Sequence, residues 1–352
     1  MMASSNIFVP LHYELELSER ENAILRTIIH TYILEANPVG SRRLAKSLET
    51  ELNLSSATIR NVMADLEDME LISHPHTSAG RVPTDKGYRV YVDMLMQSEA
   101  LSDKELLAVK KHLEPGVAEK VLKSASKVLG MLSRCLGIAL IPQISVLKVQ
   151  KIELIQLAST RLLVVVALDS DIVKTVSMEA EFEIEKDYIK SISSYINEKT
   201  SGKPLRFIKE NFTELLEGFD RKDTPLIRLV IESINQIFTS GEPSDKLHIA
   251  GTQNLLSYPE FDDLDRVRGV VELIENEDII VHILEKYEES GGVKILIGTE
   301  MQNPLLDDYS LIVSNYQIGS AMGSIGLIGP KRMKYSKMIS LVNYVSGIVS
   351  ES

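Results

Sequence analysis

The chain carries one cysteine, Cys135, among 352 residues, so an intrachain disulfide is excluded. Its place in an apolar run makes it a small core residue. No apolar run approaches the ~20 residues that span a bilayer. Residues 1–16 hold no lysine or arginine and lack the charged start of a secretion signal, so the expected compartment is the cytoplasm. Basic charge is scarce: 38 Lys and Arg stand against 50 Asp and Glu, a net charge of −12. That excludes a nonspecific nucleic-acid coater, which is normally basic, but not a sequence-specific binder with a local positive surface.

Catalytic signatures are missing too. There is no G-x-x-x-x-G-K-[ST] loop, since Gly202-Lys203 is followed by Pro204, which removes a phosphate-binding amide. H-E-x-x-H and G-x-S-x-G are absent. Gly319, Gly323, Gly326 and Gly329 miss the dinucleotide fingerprint and read as strand glycines. The pair His74-x-His76 has no cysteine or carboxylate beside it in sequence to complete a metal shell. No catalytic residue, cofactor or metal site is assigned, and the chain reads as a non-enzyme. Its length asks for two or three domains, and 44% hydrophobic with 25% charged residues is ordinary for globular proteins.

What is present concentrates between Ser41 and Arg81. Ser41-Arg42-Arg43-Leu44-Ala45-Lys46-Ser47-Leu48 predicts a short helix with Leu44, Ala45 and Leu48 inward. After a tight connection, Ser55 caps a second helix in which Ile59, Val62, Met63, Leu66 and Met69 repeat at helical spacing. Ser56, Thr58, Arg60 and Asn61 fall off that stripe. Two short helices so joined form a helix-turn-helix whose second helix can enter a major groove. From Ser55 to Ala64 that helix has no acid; Asp65, Glu67, Asp68 and Glu70 follow, so only its N-terminal half suits DNA. Arg60 matches guanine and Asn61 adenine; Ser55, Ser56, Thr58 and Ser41 offer hydroxyls, and Arg42 and Arg43 suit phosphates. The strand–turn–strand pattern from Leu71 to Pro83 is acid-free from Ile72 to Thr84, which marks a wing with His76, Thr77, Ser78 and Arg81 placed for backbone or minor-groove contact. The plain alternative is a helical hairpin with a solvated polar face.

Upstream, Ser18-Glu19-Arg20-Glu21 is a capping box opening a helix with Ile24, Leu25, Ile28, Ile29 and Tyr32 on one side. Thr84 caps a helix that buries Tyr88, Val92 and Leu95. Two helices are expected between Ser102 and Leu140. Three strand runs follow, Val146–Leu157, Leu162–Leu168 and Ile172–Glu181, with connections short enough for an antiparallel meander. Helices are expected at about 185–199, 204–217 and 223–239. The last hundred residues predict strands at Leu247–Ala250, Val293–Gly298, Leu311–Tyr316 and Ala321–Ile328, one helix from Leu264 to Tyr287, and a closing helix from Lys331 to Ile348.

Several stretches resemble the heat-inducible repressor family HrcA: Pro38-Val39-Gly40-Ser41-Arg42, Ser55 to Glu67, and His76 to Thr84 in the reading unit; Gly251 to Leu256 and Gly298-Thr299-Glu300 further on; and Gly323 to Tyr335 near the end. The resemblance spans roughly Leu17 to Val349. It implies an α+β multidomain chain: an N-terminal winged helix-turn-helix (1–98), a discontinuous GAF-like α/β domain (99–145 and 245–352) and an inserted α+β dimerisation domain (146–244), with 200–277 as a competing choice of insert. It further implies a homodimer that binds a CIRCE-type inverted-repeat operator in double-stranded DNA ahead of chaperone genes, is assisted by the chaperonin GroEL and is released on heat stress. Two other readings stand beside it: a repressor with a small-molecule effector in the GAF-like pocket, and a scaffold whose winged helix binds protein. Gly40–Arg89 holds seven basic and seven acidic residues, so a single unit is expected to bind DNA weakly and two units together tightly.

Overall fold

The computed structural model describes residues 15–49, 54–75, 80–114, 116, 118–142, 146–169, 172–211, 214–215, 224–239, 247–261, 263–287, 291–318 and 321–351. The first helix, α1 (Glu19–Glu35), opens at the expected box: Ser18 Oγ accepts the Glu21 amide at 3.3 Å while the Glu21 carboxylate accepts the Ser18 amide at 2.7 Å. Ile24, Leu25, Ile28, Ile29 and Ile33 are buried along one side. Against them pack α2 (Ser41–Ser47) through Leu44 and α3 (Ser56–Asp68) through Ile59, Met63 and Leu66. Strands β1 (Ile72–Ser73) and β2 (Val82–Pro83) pair antiparallel as the base of the wing. A third segment, not foreseen, joins them: Val39 and Arg81 exchange two backbone hydrogen bonds of 2.9 Å. That approach is why residue 80 is glycine, for a Cβ there would lie 2.6 Å from the Val39 carbonyl carbon.

Thr84 caps α4 (Asp85–Val90), accepting the Gly87 amide at 3.0 Å, and the chain widens into a π-helical turn at Tyr91–Leu95. Tyr88 and Val92 are buried and Leu95 is partly so. Next come α5 (Asp103–His112) and α6 (Ala118–Ser133). The expected helix through Leu140 is corrected here. Arg134 turns left-handed at φ 61°, the Ser133 hydroxyl accepts the Cys135 amide at 2.9 Å, and Leu136–Leu140 is a strand, β3. A short all-apolar run carries no period that separates buried strand from buried helix.

Strand β3 lies inside an antiparallel five-stranded sheet with β7 (Leu247–Ala250), β8 (Val293–Ile297), β9 (Tyr309–Ile318) and β10 (Ala321–Pro330), in the order β7-β3-β10-β9-β8. One face, with Ala139, Ile295, Ile312, Ile325 and Leu327, packs on α6 and the closing helix α13 (Tyr335–Glu351), and its core runs unbroken into the winged helix. The other face, with Ile138, Leu311, Val313 and Ile328, is covered by α11 (Leu264–Glu275) and α12 (Glu277–Lys286), after the one-turn helix α10 (Thr252–Leu255). The single helix expected over 264–287 breaks at Asn276, whose side chain donates to the Glu272 carbonyl at 2.8 Å and competes with the helical ladder. The closing helix starts at Tyr335 rather than Lys331, and Lys331 and Arg332 are held by partners described below.

Between β3 and β7 the chain builds a separate core, from Leu147 to Ile234. Strands β4 (Val149–Ala158), β5 (Arg161–Leu168) and β6 (Val173–Glu179) form an antiparallel meander. Helices α7 (Lys186–Thr200), α8 (Arg206–Glu210) and α9 (Thr224–Thr239) contribute Ile192, Ile196, Ile208, Ile227 and Val230 to the same core as Leu162, Val164 and Val166. Of the helix expected at 204–217, α8 covers Arg206–Glu210, and Asn211 Nδ2 donates to the Phe207 carbonyl at its end (3.0 Å). Residues 214–215 are again helical, and 212–213 and 216–217 lie outside the described residues.

Candidate nucleic-acid interface

The reading helix presents Ala57, Arg60, Asn61 and Ala64 to solvent, opposite its buried stripe. Two alanines beside Arg60 and Asn61 leave nothing bulky to hold a surface off. Neither α2 nor α3 has an acid in its first turn, while α1, α4 and α5 all do. The partial positive ends of the two helices are therefore uncompensated and suit phosphate. Ser55 caps α3, its hydroxyl accepting the Thr58 amide at 3.1 Å and lying 3.0 Å from Thr58 Oγ1. Ser41 Oγ and Ser56 Oγ lie 3.2 Å apart and tie the start of α2 to the start of α3. These four hydroxyls brace the motif locally. Arg42 is exposed, and Arg43 pairs with Glu35 at the end of α1 on an open surface.

Of the wing candidates, His76, Thr77 and Ser78 lie outside the described residues. Arg81 is committed inward: its Nε and Nη2 reach Glu67 at 2.9 and 2.7 Å, and His74 Nδ1 contacts the same carboxylate. Partial burial pushes the Glu67 carboxyl up, but hydrogen bonds from His74 and Arg81 more than offset it and hold it below its ordinary value. Arg81 is therefore a strut between wing and reading helix. No carboxylate lies beside His74 in sequence; the fold supplies Glu67, seven positions upstream on a helix that ends at the wing. Among the described residues no group of three or more His, Cys, Asp and Glu is placed to hold a metal ion.

The opposite side of the winged helix is a docking surface that sequence reasoning missed. Arg89 is 1% exposed. Its Nε and Nη2 donate to Glu300 at 2.8 and 2.5 Å, Nη1 to Asp93 at 3.1 Å and Nη2 also to the Ile295 carbonyl at 2.6 Å. Burial works against the Arg89 charge, yet the Glu300 hydrogen bonds and then the Asp93 charge overcome it, and its pKa rises. One turn earlier, Asp85 takes the Lys331 ammonium at 2.6 Å and the Thr299 amide and hydroxyl at 3.1 and 3.3 Å. Gly298 has φ 53°, and a Cβ on it would lie 2.1 Å from Asp85 Oδ2. Arg332 pairs with Glu260 and donates to the Ile33 carbonyl at 2.9 Å, satisfying a group that the end of α1 leaves open. Tyr335, fully buried, places its ring 6.0 Å from that of Tyr88. The stretches Gly298-Thr299-Glu300 and Lys331 to Tyr335 thus converge on α4 and α1 and fix the reading unit to the body. The sequence signal was an arginine inside the buried run Gly87-Tyr88-Arg89-Val90.

Comparisons with known proteins agree along the whole chain. A family model described as "Winged helix-turn-helix transcription repressor, HrcA DNA-binding" matches residues 16–96, and one described as "HrcA protein C terminal domain" matches 119–339. The chain is 38% identical over 349 residues to the heat-inducible transcription repressor HrcA of Chlorobium phaeobacteroides (strain BS1), covering 96% of this chain and 98% of that one. It is 37% identical to the repressor of the same name from Chlorobaculum parvum, again over 96% and 98%. A crystal structure titled only as a hypothetical protein at 2.2 Å resolution superposes with a TM-score of 0.64 at 26% identity, covering 96% of this chain and 98% of that one. No helix among the described residues is long and apolar enough to cross a membrane.

Proposed function

The chain belongs to the heat-inducible transcription repressor family HrcA, and from this premise we infer that it represses chaperone genes in the cytoplasm as a homodimer on a CIRCE-type inverted-repeat operator. Arg60 and Asn61 read base edges in each half-site; Arg42, the hydroxyls near the starts of α2 and α3, and the wing residues His76, Thr77 and Ser78 hold the backbone. The docking of α4 carries this reading. With Arg89, Asp85 and Arg332 pinned to the body, the reading helix has a fixed bearing, so pairing two bodies sets the half-site spacing.

The inserted unit, 146–244, pairs the bodies. Strand β5 is apolar on both faces, as in a strand covered on both sides, yet among the described residues the helices of the unit occupy one face. Leu163, Val165 and Ala167 stand on the other, with Ile155 across from Leu163 and Val173 across from Ala167. Ile155 and Val173 are 44% and 55% exposed. A second copy is the natural cover, because the same face carries Lys151–Glu153 and Arg161–Glu179 pairs that a two-fold axis can interleave. The chaperonin GroEL assists folding to this form, and heat diverts it, lifting repression.

A mobility shift on an inverted-repeat operator, a half-site and a scrambled duplex tests the reading. Wild type binds the full repeat most tightly, and Arg60→Ala loses ~1–3 kcal/mol on the repeat with little change on scrambled DNA. Equal binding to all three duplexes contradicts it.

A further inference from the structure

A cleft of about 600 Å³ opens between the reading unit and the C-terminal helix. One wall is a single side of α1, from Arg26 through His30 to Leu34. The second is the widened turn bearing Tyr91 and Leu95, and the third is the start of α13 at Lys334–Ser336. The DNA-facing residues of α3 are not part of it.

The lining has the makings of an anion site. Among the described lining residues, Arg26, His30 and Lys334 stand with one acid, Glu99. Burial pushes the Tyr91 phenol up, with the Arg26 charge pulling it down and the Glu99 charge pushing it up. Helix α13 runs 17 residues with no acid in its first turn, leaving its positive end uncompensated. In that turn Ser336 Oγ is screened from solvent and has no hydrogen-bond partner. A polar atom in that state is costly unless something completes it.

The backbone adds an independent sign. The Tyr91–Leu95 turn is π-helical, closed by the Met96 amide on the Tyr91 carbonyl at 2.8 Å. Such turns are rare overall and are frequent at functional sites. Here the turn brings Tyr91 and Leu95 to the cleft, where with Ile33 and Leu34 they make its apolar lining. The volume falls within the roughly 300–1,000 Å³ of small-molecule sites.

We propose that this cleft binds a small organic phosphate with a flat apolar body. The phosphate lies on Arg26, Lys334 and, once its side chain turns toward the cleft, the Ser336 hydroxyl at the helix start; the body lies on Tyr91, Leu95 and Ile33. Such a ligand touches the winged helix through α1 and the body through α13, next to Tyr335 and the Lys331–Asp85 contact. It braces the docking of the reading unit and stabilises the docked form by mass action. The proposal does not rest on the operator reading.

Phenyl phosphate is the probe, titrated calorimetrically into the full chain, with inorganic phosphate and phenol as separate arms. Saturable one-site binding of phenyl phosphate is expected, tighter than either arm, with a rise in melting temperature. Arg26→Met and Lys334→Met each weaken it by about tenfold or more, the range for charge-assisted hydrogen bonds, while Arg206→Met on the inserted unit changes nothing. Lys334 is exposed, so its variant keeps the test open if Arg26→Met folds poorly. Absence of saturable binding at millimolar probe, binding that survives both substitutions, or phosphate binding as tightly as phenyl phosphate would each overturn the proposal.

Discussion

The two larger antiparallel sheets have apolar inner strands and opposite surroundings. In the five-stranded sheet, β9 and β10 send side chains into two cores, one under α6, α13 and the winged helix, the other under α11 and α12. In the three-stranded sheet, β5 reads Leu162-Leu163-Val164-Val165-Val166-Ala167, just as apolar, yet the described helices cover the face of Leu162, Val164 and Val166. A strand apolar on both faces reports burial on both faces. The first sheet finds its two covers within one chain. Among the described residues the second has one cover, and we infer that a second copy of the chain supplies the other.

The largest expected effect tests the well-covered sheet. Arg89→Leu removes the guanidinium that spans Glu300, Asp93 and the Ile295 carbonyl on edge strand β8. It leaves the Glu300 carboxylate without its partner at the interface, for which loss of about 3–5 kcal/mol is the usual cost of breaking a buried pair. Urea unfolding measures it; a cost under about 1 kcal/mol would mean that the winged helix is not a true cover of that sheet.

Next is the open sheet. Val165→Asp puts a charge on its outer face, and tethering that raises operator affinity by about 10²-fold or more is expected to vanish with it. The substitution leaves the Leu147–Ile234 core intact, so circular dichroism and the melting curve should change little. A large loss of stability without loss of dimer would show that the face is covered from within the chain. Arg60→Ala comes third, at ~1–3 kcal/mol of operator affinity, and should leave both sheets and the oligomer untouched.

The smallest effect is a pH dependence. Glu105 takes hydrogen bonds from Lys337 and from the Ser102 amide and hydroxyl, which hold its carboxyl at about 2. A carboxylate lowered in the folded state stabilises it above its unfolded pKa, near ~4.3, and loses that contribution as pH falls toward 2. The stability of α5 against α13 should therefore be flat above pH ~5 and decline below it. Glu105→Gln should flatten the decline, read by acid titration of circular dichroism.

How much of this was legible in the sequence follows from the range of the forces involved. Caps and periodic stripes are local, so the Ser18, Ser55 and Thr84 caps, the α3 stripe and the meander were all readable. Strand β3 was not, because Leu136 to Leu140 is a uniformly apolar run whose identity depends on β7 and β10, far away in sequence. The break at Asn276 turned on one side chain competing for one carbonyl. In the candidate interface, Arg60 and Asn61 stand outward as their spacing predicts, whereas Arg81 was expected outward and is held by Glu67. Nothing local shows whether an arginine will meet a phosphate or a carboxylate fourteen residues back. For the same reason the pairs Arg89–Glu300 and Asp85–Lys331 were invisible, being joined only by the fold.

Sedimentation equilibrium of the full chain, alone and with an inverted-repeat operator duplex, tests the central claim most directly. The account predicts a dimer at micromolar concentration that binds one duplex as a unit, and a monomer for Val165→Asp. A wild-type chain that stays monomeric and binds the repeat one copy at a time, with independent affinities, would contradict it.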